Sequence, residues 1–517
     1  MRTSVLCAFA VFVAAVFLPA ASGQTIYNAN PDWISSDTLV GTGAALVDLN
    51  LDGWVDLVVA NGNDMAQQRV TVYYNNGDGT LPTTPDWESF DQRYNGHLDV
   101  ADVNQDGWPD VAVAVLGSGS SRTRAAKLYL NNNGTLSSSP DWRSLETANA
   151  FGCDFGDVNN DGWPDLAVAT GWSYAPQGYF KNYVYLNNNG TLSETASWQS
   201  DDTYHYQGVL WLDADDDGWL DLLGVAGRTD SRIYRNLGGV LETTASWATT
   251  DSPNQDGIMA VCADMDGDGI RDLIQTDNTQ LGGTGRHRQY NGLAGGFFET
   301  TYDWSYYDGY GSAVALADLD NDGVLDLMTG GWWLPTRMFL NTGVGLPTSP
   351  NWTSARTSVI EKICFADIDK DGLQQMSETF VGDGQRRLFY FDRLPIQEIL
   401  AIYIDGMETD AVYTYSRDGG WITVSEAPQT SLRVDYLYST RLDMAVSNWD
   451  NNVGNYIYYH QYGCMADLTG DGSTGIADLA ALLADYGCVG DCLGDYDHDG
   501  DTDLSDLAFL LADYGCE

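Results

Sequence analysis

The chain has 517 residues, enough for two ordinary domains or for one large repeat domain with an appendage. It is 44% hydrophobic with 17 Trp and 30 Tyr, so it can bury a core and is not disordered by composition. With 24 Lys and Arg against 73 Asp and Glu the net charge is −49, which argues against a nucleic-acid or anionic-membrane partner.

Residues 1–23 read as a secretory signal. Arg2 supplies the positive end, Val5 to Ala21 is apolar, and Ala21-Ser22-Gly23 offers small residues for cleavage before Gln24. No later apolar run is long enough for a membrane span. The expectation is a secreted or extracellular protein, with the cell surface as one destination.

From residue 24 to 392 one grammar repeats. A Trp leads each unit: Trp33, Trp87, Trp142, Trp198, Trp247, Trp304 and Trp352. An acidic nine-residue loop starts 14 to 17 residues later. An apolar strand such as Leu57-Val58-Val59-Ala60 follows, then a loop of varied length, a second strand and an Asn/Gly turn. Short strands at this density, with a period near 54, read as four strands per unit. Stacking such units radially buries each sheet between its neighbours, so the fold class is all-β, a β-propeller.

The loops place carboxylates or carboxamides at positions 1, 3, 5 and 9 and Gly at position 6. Alternate residues turn inward around one hard cation, and an all-oxygen set favours Ca2+ over zinc or copper. The predicted ligands are Asp48, Asn50, Asp52 and Asp56; Asp102, Asn104, Asp106 and Asp110; Asp157, Asn159, Asp161 and Asp165. They continue as Asp213, Asp215, Asp217 and Asp221; Asp264, Asp266, Asp268 and Asp272; Asp318, Asp320, Asp322 and Asp326. The seventh loop keeps Asp367, Asp369 and Asp371 but has Gln375 at position 9, so it is expected to be the weakest. Trp54, Trp108, Trp163 and Trp219 hold loop position 7, where the other loops carry Ile270, Val324 and Leu373. A position apolar in every copy reads as packing rather than as a sugar-stacking surface.

These loops, each followed by a strand like Leu166-Ala167-Val168-Ala169, resemble the FG-GAP/VCBS repeats of integrin α-chain propellers and related bacterial and fungal proteins. The resemblance implies calcium in the matching loops and a propeller commonly of seven blades.

Residues 393–460 break the grammar. Pro395 to Tyr438 alternates apolar and polar residues as a small β unit, whereas Leu442 to Asn448 and Tyr456 to Tyr459 are similar to the repeat strands. Two readings stay open: a metal-free eighth blade, or a β insertion whose last strands close the ring.

Residues 461–517 hold two acidic loops 28 residues apart, each feeding a short apolar helix and ending in Ala-Asp-Tyr-Gly-Cys. The paired units look like a type I dockerin, the module that docks onto cohesins. Carried over by position, the ligands are Asp467, Thr469, Asp471 and Asp478, with Gly475 or a bridging water, and Asp495, Asp497, Asp499, Asp503 and Asp506. The backbones of Ser473 and Asp501 would serve position 7. Thr469 and Gly475 depart from the pattern, so the first site is expected to be weaker. Ile476-Ala477 and Leu504-Ser505 stand where better-known dockerins carry polar cohesin-recognition residues, which puts the usual partner specificity in doubt.

Cys464, Cys488, Cys492 and Cys516 are expected to pair among themselves, in a connectivity the sequence does not fix. Cys153, Cys262 and Cys364 read as strand thiols rather than nucleophiles. His97, His205 and His287 occupy unlike repeat positions, where a grafted site could hide, yet no Gly-x-Ser-x-Gly, zinc or phosphate-loop motif is present. No catalytic residue and no organic cofactor is assigned. The functional expectation is a calcium-binding, non-enzymatic adhesion or recognition protein. Its propeller would bind a polysaccharide or a cell-surface protein, and its dockerin would tether it to a cohesin-bearing partner. The competing expectation is a cohesin-tethered polysaccharide lyase or hydrolase on the same scaffold.

Overall fold

The computed structural model describes residues 26–517 apart from 118–122, 172–179, 251–254, 410, 451–452, 462–465, 467, 470–473, 489–491, 495, 497–500, 513 and 515–517. The signal segment 1–23 lies outside the described residues. Two compact units emerge, Tyr27–His460 and a C-terminal one beginning at Gln461.

The larger unit is made of antiparallel four-stranded sets. The first is Gly41–Val47, Asp56–Asn61, Val70–Tyr73 and Trp87–Glu88 in that order. The pattern recurs through the set Gly311–Ala317, Asp326–Leu334, Arg337–Phe339 and Trp352–Thr353. In every set the acidic loop joins the first strand to the second, so the register pairs the residue before the loop with the Asp that ends it, as in Val47↔Asp56 and Ala317↔Asp326. Second strands such as Asp56–Asn61 and Asp165–Thr170 are buried along their whole length. That follows from their unbroken apolar runs, which have no solvent face to offer.

The leading Trp opens the outermost strand of each set. Trp33, Trp142, Trp247 and Trp352 are buried, and their rings meet Tyr73, Tyr185, Tyr290 and Tyr458 edge-on at 5.2–6.2 Å. Trp87, Trp198 and Trp304 are half-buried and meet Tyr129, Tyr234 and Phe339 the same way. These tryptophans are therefore core residues, as expected. The set after Trp352 is assembled from distant segments. Ser358–Ala366 pairs with Asp443–Asn448, which pairs with Tyr456–Tyr458, which pairs with Trp33–Ile34 from the start of the unit.

Between these segments lies the inserted domain. It begins at Leu373, twenty residues before the boundary of 393 read from the sequence. Leu373–Val381 pairs over nine residues with Ser431–Ser439, followed by Glu398–Ile404 and Met407–Glu408. A second sheet holds Leu388–Tyr390, Trp421–Val424 and Tyr413–Ser416. The domain has its own core of Phe389, Phe391, Ile422, Val434 and Tyr436. By sequence the stretch 373–392 reads as part of the repeats, because it follows the seventh loop directly. Leu373 to Val381 alternates exposed and half-buried residues, unlike second strands such as Asp56–Asn61 and Asp165–Thr170.

The C-terminal unit contains helices Ile476–Asp485 and Leu504–Ala512. Leu482 and Leu510 are buried against Ala466, and Tyr496 stacks on Phe509 at 5.3 Å. Among the described residues no helix is long and apolar enough to cross a membrane.

Candidate cation-binding loops

Each loop is a chain of short turns that folds its own oxygens inward. In the first, Asp48 Oδ1 accepts the Asp52 amide at 3.2 Å and Asp48 Oδ2 the Gly53 amide at 2.7 Å. Asn50 Oδ1 also accepts the Asp52 amide, and Asp52 Oδ1 accepts the Trp54 amide. The bond from the position-6 Gly to the position-1 carboxylate recurs in all seven loops, at Gly53, Gly107, Gly162, Gly218, Gly269, Gly323 and Gly372. Positive φ at position 4 (51° at Leu51, 59° at Asn321) and at the following Gly53 and Gly323 makes the reversal sharp.

Position 9 carries the second constant contact. Asp56 Oδ2 accepts the position-2 amide of Leu49 at 3.0 Å, and its Oδ1 accepts the Asn75 amide at 2.8 Å. Asp110, Asp165, Asp221, Asp272 and Asp326 do the same with their own loops and turns. In the seventh loop this role belongs to Asp443. Its Oδ2 accepts the Ile368 amide and its Oδ1 the His460 amide, both at 2.8 Å. Gln375 lies instead within the inserted sheet, opposite Leu437. The seventh loop is thus not short of its ninth-position carboxylate. An inserted domain displaces it by 68 residues along the chain, which nine-residue spacing could not find.

The oxygens converge. Carboxylates of Asp213, Asp215 and Asp221 offer atoms within 4.8 Å of one another, as do Asp264, Asp266 and Asp272, Asp318, Asp320 and Asp326, and Asp367, Asp369 and Asp371. The first three loops replace the position-3 carboxylate with Asn50, Asn104 or Asn159. Burial and like charge raise the carboxyl pKa values: Asp56, Asp110 and Asp157 reach about 7, and Asp221 and Asp326 about 8. Sealed oxygens with no hydrogen-bond partner remain on Asp215, Asp318 and Asp371, in each case Oδ1. The opposite oxygen of each faces an arginine: Arg235 at 2.5 Å, Arg393 in close contact, and Arg441 at 3.5 Å. An all-oxygen cluster with orphaned carboxylate oxygens fits a hard divalent cation.

The position-7 tryptophans are half-buried. The Trp108, Trp163 and Trp219 rings lie over the tight turns at Gly134, Gly190 and Gly239, where an added Cβ would meet them at 3.2–3.5 Å. Lys370 sits 4.1 Å from the Trp54 ring. Those contacts are packing, as read from the sequence.

The inserted domain lies on the loop-bearing end of the sheets. Thr414 Oγ1 donates to Gly162 O at 2.7 Å, Arg387 to Asn160 O at 2.7 Å, and Arg386 pairs with Asp216 at 2.8 Å. Tyr390 Oη accepts the Asp213 amide at 2.9 Å, and Arg417 donates to Leu46 O at 2.6 Å.

In the C-terminal unit Asp478 and Asp506 are buried and repeat each other's bonds. Asp478 accepts the Thr469 amide and hydroxyl at 2.9 Å and the Gly475 amide at 2.8 Å. Asp506 accepts the Tyr496 and Asp503 amides at 2.6 and 2.7 Å. Asp467, Asp471, Asp495, Asp497 and Asp499 lie outside the described residues. Cys488 and Cys492 form a disulfide, within the expected set, whereas Cys464 and Cys516 are not among the described residues. Cys153 and Cys364 are buried free thiols and Cys262 a half-buried one. Burial pushes Cys262 and Cys364 up to about 12, so none is an activated nucleophile. His97, His205 and His287 are buried.

The FG-GAP-like repeat model matches residues 48–113, 102–168, 213–275 and 264–329, and the FG-GAP repeat model matches 154–187. The chain carries FG-GAP repeats. Every matched FG-GAP-like segment begins on the first Asp of a predicted loop. Solved structures with a remote likeness include BBS1N in complex with ARL6DN, soaked with mercury, at 12% identity and TM-score 0.40, covering 81% of this chain and 100% of that one. The same complex soaked with lead stands at 10% identity and TM-score 0.41, covering 80% and 98%.

Proposed function

We propose that this chain is an exported, calcium-dependent, non-enzymatic recognition protein built on an FG-GAP propeller of seven blades. Asp443–Asn448 and Tyr456–Tyr458 would complete the seventh blade with Trp33–Ile34, closing the ring, in place of an eighth. Calcium would sit in seven loops, held by the residues named at positions 1, 3, 5 and 9, with Asp443 as the ninth-position ligand of the last. The observation that carries this reading is the repeated hydrogen-bond frame, kept in the seventh loop although its last carboxylate arrives from beyond an inserted domain. A bound cation would relieve the carboxylate repulsion, so metal affinity is in part folding energy.

The propeller would display a recognition face for a polysaccharide or a surface protein, and the C-terminal unit would act as a dockerin toward a cohesin. Asp478 and Asp506, each three residues into its helix, support the paired loop-helix reading. The test is binding of the full chain to an immobilised type I cohesin, with calcium and with a chelator, beside an Ile476→Asp/Leu504→Asp variant. Calcium-dependent retention that the variant loses supports the tether. Retention that ignores calcium, or its absence in both conditions, removes the cohesin partner.

A further inference from the structure

A cavity of about 150 Å³ lies where all seven first strands meet, closed on one side by residues 415–421 of the inserted domain. One position recurs around it, three residues before the first Asp of each loop. Five sets place Ala45, Leu210, Val261, Ala315 and Cys364 there, whereas two neighbouring sets place Asp99 and Asp154. The repeat grammar does not require those two carboxyls. Asp99 Oδ2 accepts the Phe155 amide at 2.7 Å, and Asp154 Oδ2 the Trp211 amide at 2.8 Å. The two carboxyls also hydrogen-bond each other, and neither has a cationic partner within ion-pair distance among the described residues. Burial raises both: Asp99 reaches about 6, with the Asp418 charge adding to the rise, and Asp154 lies well above the ordinary range, with the Asp99 charge adding to it, so the pair holds one proton near neutrality.

Other off-pattern groups complete a polar arc. His97, two residues before Asp99, is 7% exposed and lines the cavity, and its Nε2 has no hydrogen-bond partner. Lys362 pairs with Asp418 of the insertion at 3.5 Å. Arg417 keeps a sealed Nη2 with no partner. The rest of the wall is largely apolar, with Leu210, Val261 and Ala315 on the lining, and the Trp211 indole lies beside Asp154, whose carbonyl accepts its Nε1 at 3.1 Å.

We propose that this axial cavity binds one uncharged, monosaccharide-sized polyol. This rests on the glycan-recognition reading above and gives it a site. A cavity of this size takes about one six-membered ring. With the shared proton in place, the charges of the carboxyl pair and Asp418 balance those of Lys362 and Arg417. A cation would have to expel that proton, and an anion would meet the carboxyls. A polyol needs what the arc offers, acceptors and donors side by side, and its C–H faces suit the apolar wall.

The experiment is titration of the full chain, in calcium, with D-glucose, D-galactose, D-mannose and N-acetyl-D-glucosamine, followed by calorimetry and saturation-transfer NMR. At least one sugar binds saturably at one site. Asp154→Asn weakens it at least tenfold and Ala315→Phe abolishes it, while both variants keep their calcium-loaded melting temperature within a few degrees. Saturation by none of the four, or binding unchanged in Ala315→Phe, overturns the proposal. Pull-down on insoluble cellulose, chitin and cross-linked xylan separates the two claims. If wild type and Ala315→Phe retain a polymer equally, glycan recognition stands on another surface and the cavity proposal fails. If wild type retains none and binds no sugar, the glycan reading fails with it.

Discussion

At the scale of single residues, position 9 of the loop sets the frame more firmly than position 3. Asn replaces Asp at position 3 in three loops without disturbing the turn, because a carboxamide oxygen still accepts the position-5 amide. The ninth carboxylate instead ties the loop to the turn after the third strand, and the seventh loop imports it from Asp443. Asp443→Asn is therefore expected to remove one bound calcium and lower the calcium-loaded melting temperature by several degrees. Gln375→Ala should change neither, as metal analysis and thermal denaturation would show. The opposite ranking would return position 9 to Gln375. The seven other expected ligands of the seventh loop and its neighbour were legible in sequence because their spacing is local. Asp443 was not, since nothing local marks where a loop resumes after 70 residues.

At the scale of elements, the inserted domain and the loops draw their stability from different sources. The insertion buries its own apolar core, whereas the loops depend on what balances clustered carboxylates. Removing calcium should speed amide exchange at Gly53, Gly107, Gly162 and Gly218 by at least tenfold and leave Ser431–Ser439 protected. Hydrogen exchange with and without chelator measures this, and uniform deprotection of both would show one cooperative unit. The half-buried Trp163 belongs to the same scale. Trp163→Ala should cost roughly 2–4 kcal/mol in denaturant unfolding, by loss of the packing over Gly190. An unchanged stability would reopen its reading as a binding surface. The strand order of the repeats was legible because their apolar runs and turn signals recur. The insertion's true start was not, since Leu373 continues the loop in sequence while its partner strand lies near residue 435.

At the scale of the whole molecule, the net charge of −49 and the raised loop carboxyls set the response to pH. Asp56, Asp110, Asp157, Asp221 and Asp326 have folded-state values of about 7 to 8 without a cation, above the value of 3.8 for an unperturbed Asp. The cation-free native state then binds more protons than the unfolded chain between about pH 4 and 8, so its stability falls as pH rises through that window. Calcium holds the carboxylates ionised, and the loaded protein should lose that slope or reverse it. Melting curves at pH 5, 6, 7 and 8 in chelator and in calcium test the sign. A chelated protein that gains stability across the window would contradict it.

The most direct test of calcium-dependent folding is the metal content and melting temperature of the full chain, equilibrated with calcium and then with chelator. Calcium-dependent folding predicts about seven tightly held calcium ions from the repeat loops, additional ions from the C-terminal unit, and a drop of at least 10 °C on chelation, since each site lost withdraws binding free energy from the folded state. A chain that keeps its melting temperature in chelator, or holds fewer than about three calcium ions, would contradict it and leave the loops as acidic turns.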